Sequence, residues 1–239
     1  MLPEVDLEGQ ERLSNSSVII FGLGGLGSPI AMYLAAAGVG RLVLVDHDIV
    51  ELSNLQRQII HNSSNIDRTK VESAEESILR LNPHVKVETI AKTLSEEDFS
   101  DVLPTIDVVV DGTDNFKSRF EINKQSVKYD KPLVSGAATR FEGQVAVFDG
   151  GKQDKPCYRC LYPKEGNEEN NCVQNGVIAP LLGIIGSIQA TETLKVLMGI
   201  GESLGGRVLL VDALSMEWQS MRLGKDANCP ECSSRKAAT

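Results

Sequence analysis

The chain has 239 residues, 41% of them hydrophobic and 24% charged, and carries a net charge of −9. That is enough chain to bury a substantial core, and the composition is that of an ordinary globular protein. The acidic balance excludes general nucleic-acid binding, which needs a basic face. The start, Met1-Leu2-Pro3-Glu4-Val5-Asp6, is acidic and has no apolar leader core, and the longest apolar runs, near 30–37 and 177–190, are expected to fall short of a membrane span.

Residues 1–16 are polar and weakly patterned. Val18-Ile19-Ile20-Phe21 then predicts a strand, Gly22-Leu23-Gly24-Gly25-Leu26-Gly27 a tight turn, and Ile30 to Ala37 a helix. Arg41 to Val45 reads as a second strand ending in Asp46, which closes a βαβ unit over roughly 17–46. His47 to Gln58 is expected as a polar loop leading into a short helix. Thr69 to Leu81 has amphipathic periodicity and stops at Asn82-Pro83. Val85 to Ile90 alternates like a strand, and Ser95-Glu96-Glu97-Asp98 has the acids of a helix start.

Ile106 to Asp111 predicts a buried parallel strand that runs into Gly112-Thr113-Asp114-Asn115, followed by a helix from Phe116 to Tyr129. Short strands are expected at 132–136 and 143–148, the latter antiparallel. Residues 149–176 read as loop, 179–198 as a long apolar helix, and 207–211 and 217–222 as two last strands. This alternation predicts one domain over 1–239. It is a doubly wound, mostly parallel Rossmann-like α/β sheet with an antiparallel C-terminal extension.

Gly22, Gly24 and Gly27 fit the spacing G-x-G-x-x-G in a strand–turn–helix setting, and Asp46 falls where a ribose hydroxyl would be held. Alone, this pattern usually indicates an NAD-type fold. No Lys-Ser or Lys-Thr pair follows the glycines, so phosphates of ATP would need cations from elsewhere. Asn54, Arg57, Lys70 and Asp114 all fall at or beyond strand ends on one edge of the sheet. There Arg57 and Lys70 suit phosphate oxygens and Asp114 suits Mg²⁺. Each taken singly reads better as a solvated surface group, and only their grouping at strand ends around the glycine turn weakens that reading.

Cys157-Tyr158-Arg159-Cys160 and Cys229-Pro230-Glu231-Cys232 are two C-x-x-C pairs, the spacing of a tetrahedral Cys₄ zinc knuckle. One redox pair plus an accidental pair is the competing reading, although neither pair is expected at a helix start. Cys172 lies in a polar loop and reads as either an inert small hydrophobe or a nucleophile. Cysteines in a chain of this kind point to a reducing compartment, the cytoplasm by default.

Taken together, the glycine turn, Ser53-Asn54-Leu55-Gln56-Arg57-Gln58, Lys70-Val71-Glu72-Ser73-Ala74, Leu81-Asn82-Pro83, Thr113-Asp114-Asn115 and the two cysteine pairs resemble one family. It is the ThiF/MoeB class of sulphur-carrier-protein adenylyltransferases, within the ubiquitin-activating-enzyme superfamily. The resemblance implies that the C-terminal Gly-Gly carboxylate of a small ubiquitin-like carrier attacks the α-phosphate of Mg-ATP, giving an acyl-adenylate and pyrophosphate. It implies that Gly22, Gly24, Gly25, Gly27, Asp46, Ser53, Asn54 and Asn115 surround the nucleotide, with Arg57 and Lys70 on phosphates and Asp114 on Mg²⁺. A homodimer, structural Zn²⁺ and a role for Cys172 in later sulphur transfer also follow from it. Leu133 to Ala138 and Ile178 to Gly183 lean toward the molybdopterin branch over the thiamine branch. In this family an Arg-Tyr-x-Arg-Gln segment precedes the first strand, and Met1 to Val5 are expected to begin just after it. Arg12 falls too late to replace it. That departure keeps open a catalytically impaired carrier-binding subunit; an NAD-dependent oxidoreductase, offered by the glycine pattern, is weakened by Arg57, Lys70 and the cysteine pairs.

Overall fold

The computed structural model describes residues 2–149, 154–163 and 176–233. In chain order the strands are β1 (Ser17–Phe21), β2 (Arg41–Val45), β3 (Lys86–Ile90), β4 (Val108–Asp111), β5 (Pro132–Thr139), β6 (Glu142–Asp149), β7 (Arg207–Asp212) and β8 (Glu217–Arg222). The helices are α1 (Asp6–Ser14), α2 (Gly27–Ala36), α3 (Lys70–Leu81), α4 (Glu96–Val102), α5 (Phe116–Lys128), α6 (Tyr158–Leu161) and α7 (Ala179–Met198).

All eight strands form one sheet in the order β3-β2-β1-β4-β5-β6-β7-β8. The first five pair in parallel, and β6, β7 and β8 add antiparallel hairpins to one edge. Because strand side chains alternate, each parallel strand feeds two cores. Val18, Ile20, Leu42, Leu44, Val108 and Val110 face the side packed by α2, α3 and α7. Ile19, Phe21, Val43, Val45 and Val109 face the side packed by Phe99 of α4, Phe120 of α5 and Tyr158 of α6. A strand buried on both faces reads as a continuous apolar run, and that is why periodicity identified these strands so readily.

Helix ends follow local chemistry. Thr69 caps α3, accepting a hydrogen bond from the Glu72 N–H, and Ser95 with Asp98 makes a capping box at α4. Gly199 ends α7 in the left-handed conformation at φ 68°.

Three expectations change. The polar segment before β1 contains a helix, α1, whose weak pattern reflects how little it buries: only Gly9 and Leu13 are buried within it. The apolar run near 177–190 belongs to a 20-residue helix, which has the length and hydropathy of a membrane span. Its composition has another cause, since α7 lies across the sheet with Leu181, Ile185 and Ala190 in the core. The helix expected after the loop from 47 is only a 3₁₀ turn at Leu52–Asn54.

Candidate nucleotide site

Strand order reverses between β1 and β4, and at such a switch point the loops leaving the carboxyl ends of the strands diverge to leave a crevice. A cavity of about 310 Å³ opens there. The glycine turn forms its floor, and Asp46, Arg57, Lys70, Asp114 and Asn115 stand in its walls.

The turn's path is set by backbone contacts. The Gly22 N–H donates to the Val45 carbonyl at 2.9 Å, and the Gly112 N–H to the Phe21 carbonyl at 2.8 Å, which extends the sheet into both loops. Gly22 takes φ +84°, the left-handed region. A Cβ on Gly27 would lie 1.8 Å from the Gly22 carbonyl oxygen, so α2 can start this close to β1 only through a glycine. Gly24 and Gly25 line the cavity, with Leu182 of α7 behind Gly25.

Asp46 is 9% exposed at the end of β2. One carboxylate oxygen accepts the Leu23 N–H at 2.7 Å and the other the Asp48 N–H at 2.9 Å. It therefore braces the glycine turn as well as lining the cavity. Lys70 opens α3 and is 6% exposed, its ammonium 2.7 Å from Asp48. Arg57 donates from Nη1 to the Ser53 carbonyl at 3.2 Å, across the 3₁₀ turn. Ser53 and Asn54 lie in that turn and do not line the cavity; the Asn54 carbonyl receives the Arg57 and Gln58 N–H groups. Asp114 is exposed at the loop after β4. Asn115 spends its side-chain carbonyl capping α5 through the Ser118 N–H and turns its amide toward Asp114 at 3.4 Å. Arg12, distant in role, donates to the Met198 carbonyl at the end of α7.

Four contributors went unnoticed in the sequence. Asp48 is the partner of Lys70, and the D-x-D spacing after β2 was the available signal. Gln58 is 4% exposed, lines the cavity and has an Oε1 without a hydrogen-bond partner. Asp111 is buried at the end of β4, accepting from the Thr113 N–H and hydroxyl and the Ser135 hydroxyl. His61 is 6% exposed beneath the glycine turn. For these last three only the fold supplies the neighbours.

A second cluster lies against the end of α5, beside Val127. The four sulfurs of Cys157, Cys160, Cys229 and Cys232 all fall within 4.8 Å of one another, with Cys157–Cys229 at 3.6 Å and Cys160–Cys232 at 3.5 Å. A disulfide would need about 2.05 Å. Four thiolates at 2.3 Å from a tetrahedral zinc would be spaced about 3.8 Å apart, close to what is seen. Burial pushes the thiols of Cys157 and Cys232 up, the latter to about 12, so this geometry is costly for bare thiolates. At Cys229 burial also pushes upward, yet the Cys232 and Glu231 N–H groups, with the neighbouring Cys232 and Cys157 side chains, bring the thiol below its ordinary value. Such donors suit a metal-bound sulfur. Cys157 does cap a helix start, that of the one-turn α6, contrary to expectation. The turn arises because the Cys160 N–H closes onto the Cys157 carbonyl at 3.0 Å, bringing both sulfurs to one side. Cys172 lies outside the described residues.

Fold and cavity together define a nucleotide-binding protein of the doubly wound α/β class. The chain matches the ThiF family over residues 1–231. It is 43% identical to the molybdopterin-synthase adenylyltransferase of Escherichia coli K12, covering 95% of this chain and 91% of that one. It is 42% identical to the sulfur carrier protein ThiS adenylyltransferase of the same organism, over 99% and 94%. The sulfur carrier protein adenylyltransferase of Thermus thermophilus is 43% identical, over 97% and 88%. A crystal structure of E. coli MccB with ATP superposes with a TM-score of 0.82 at 23% identity, covering 95% of this chain and 70% of that one, a likeness of fold. This chain belongs to the ThiF family, and it is an enzyme of the nucleotidyltransferase type.

Proposed function

We propose that this enzyme uses Mg-ATP to adenylate the C-terminal Gly-Gly carboxylate of a ubiquitin-like sulphur carrier, either the small subunit of molybdopterin synthase or the thiamine-pathway carrier. One observation carries the reading. A glycine-floored cavity at the switch point places the cations Arg57 and Lys70 and the exposed carboxylate of Asp114 around the same space. Hydride transfer has no use for that set, whereas attack of a carboxylate on a polyphosphate does.

The chemistry asks the protein to hold two anions together and to offset the charge that develops as pyrophosphate leaves. The N–H groups of the glycine turn, at the start of α2, face the phosphates. Asp46 holds the ribose with lone pairs its two backbone bonds leave free. Lys70 exchanges Asp48 for phosphate oxygen, and Arg57 swings from the Ser53 carbonyl to do the same. Asp114 fits Mg²⁺ because it is exposed and borders the cavity, with the Asn115 amide 3.4 Å from its carboxylate. Bound there, the ion would offset the negative charge of the phosphates.

Zn²⁺ fits the four cysteines by sulfur spacing and by their N–H donors, and would have a structural role, tying the segment after β6 to the segment after β8. A homodimer is supported by large apolar side chains left in solvent on the loop after β2, Leu52 at 72% and Ile59 at 62% exposed. Sulfurs spaced for metal suit a reducing compartment, and we place the enzyme in the cytoplasm on that ground.

The test is ATP–pyrophosphate exchange with each purified carrier. Exchange is expected with one intact carrier and not after its terminal glycine is removed. Asp114→Ala should lower exchange at least about 100-fold, the scale of losing a charge-stabilising group, without changing Tm. Exchange independent of carrier, or an active Asp114→Ala enzyme, would overturn the reading.

A further inference from the structure

The peptide group of Leu23, in the middle of the glycine turn, is held at both ends. Its N–H donates to Asp46 Oδ2 at 2.7 Å, and its carbonyl lies 2.9 Å from Nε2 of His61. The other ring nitrogen of His61, Nδ1, is 2.7 Å from the hydroxyl of Ser73 on α3. His61, Leu23 and Ser73 are all nearly or fully buried. Neither Asp46 nor His61 can shift without tilting the turn whose amides meet the nucleotide.

We propose that His61 is a positioning residue for the nucleotide site, acting as a neutral imidazole protonated on Nε2 that pins the Leu23 carbonyl. The inference rests on the nucleotide reading above. Its basis is the pair of contacts. A carbonyl only accepts, so Nε2 must carry a proton. With Nε2 protonated, a neutral ring leaves Nδ1 as an acceptor, and the Ser73 hydroxyl donates to it. The imidazole thereby connects α3, whose first residue is Lys70, to the turn. The floor of the phosphate site and its buried cation are set by one side chain.

The charged groups that face His61 are Lys70 on α3 and Asp46 after β2. Burial lowers the affinity of His61 for a proton below its ordinary value near 6.5, and Lys70 adds to this. The Leu23 carbonyl and Asp46 act the other way without prevailing. A proton added to the ring makes Nδ1 a donor, so the Ser73 contact must reverse, with the hydroxyl turning to accept. It also sets a second cation near Lys70. In acid, therefore, the turn loosens.

The experiment measures Mg-ATP binding by calorimetry, with no carrier present, for the wild type, His61→Ala, His61→Gln and Ser73→Ala between pH 5 and 8. In His61→Gln the amide nitrogen reproduces the Nε2 donor and cannot titrate. His61→Ala is expected to bind ATP about 10- to 100-fold more weakly at pH 7.5, the cost of one buried donor. His61→Gln should stay within a few-fold of wild type and lose the acid-side fall in affinity that wild type shows. Nitrogen NMR of the wild-type ring should report the Nε2-protonated tautomer, a reading that needs no variant to fold. The proposal is overturned if His61→Gln binds as poorly as His61→Ala, if His61→Ala binds like wild type, or if the proton resides on Nδ1. Wild-type protein that binds no ATP at all would instead remove the nucleotide reading, and this inference with it.

Discussion

At the scale of single residues, two glycines three positions apart are constrained by different things. Gly27 is a packing requirement, because its Cβ would meet the Gly22 carbonyl oxygen at 1.8 Å and backbone must move to admit it. Gly24 has no such neighbour, the nearest atom to its Cβ being the Gln58 amide nitrogen at 3.6 Å. Gly27→Ala should therefore destabilise by about 3 kcal/mol or more, as severe overpacking does. Gly24→Ala should fold normally and lose ATP affinity, because its methyl enters the space a phosphate needs. Thermal melts and nucleotide titrations of the two variants check this; equal melting temperatures would remove the packing argument.

Among elements, β3 is one of the two edges of the sheet and carries charge where an apolar edge would invite pairing with another chain. Across the β2–β3 pair, Arg41 forks onto Glu88 at 2.7 and 3.1 Å. Its guanidinium, with help from Lys86, holds the Glu88 carboxyl down at about 2, against an ordinary value of 4.5. The folded state thus binds a proton less readily than the unfolded state. Stability from this group is fully present above about pH 4.5 and is lost as pH falls toward 2. Glu88 is 36% exposed, so solvent screening limits the effect to about 1 kcal/mol or less. Glu88→Gln should lower the urea midpoint at pH 7 and become indistinguishable from wild type near pH 2. A gap that persists in acid would assign the effect to packing instead.

For the whole molecule, the cysteine cluster is where distant parts of the chain converge. Cys157 and Cys160 follow β6, Cys229 and Cys232 follow β8, and the group packs against Val127 at the end of α5. Asn123 of α5 braces it, donating to the Cys157 sulfur at 3.8 Å and accepting the Tyr158 N–H at 2.8 Å. Folding and metal binding should be coupled at such a site. Cys229→Ala is expected to abolish stoichiometric zinc and to lower Tm by several degrees, and a strong chelator should do the same to wild type. Metal analysis alongside calorimetry is the check, and unchanged stability in metal-free protein would refute a structural role.

Some of this was determined by sequence alone. Strands buried on both faces must be continuously apolar, a tight turn against a helix start must be glycine, and a helix ends where Asn82-Pro83 or Gly199 requires it. Those are local demands, and the eight strands and the longer helices between them were legible for that reason, as was the spacing of the cysteine pairs; the one-turn α6, inside a segment read as loop, was not. Helix α1 was not, because a helix with two buried residues leaves almost no periodic trace. The tertiary structure alone decided which groups meet. It put Asp48 on Lys70 and His61 under Leu23. It left Ser53 and Asn54 beside the cavity rather than in its wall, and set Gln58 buried at the floor. These contacts join residues that are 22 and 38 positions apart, on loops whose course depends on how β2 and α3 pack against the sheet. A polar side chain in such a loop carries no periodic signal of its own. Only the closing of the sheet, driven by burial of its two apolar faces, specifies where that side chain comes to rest.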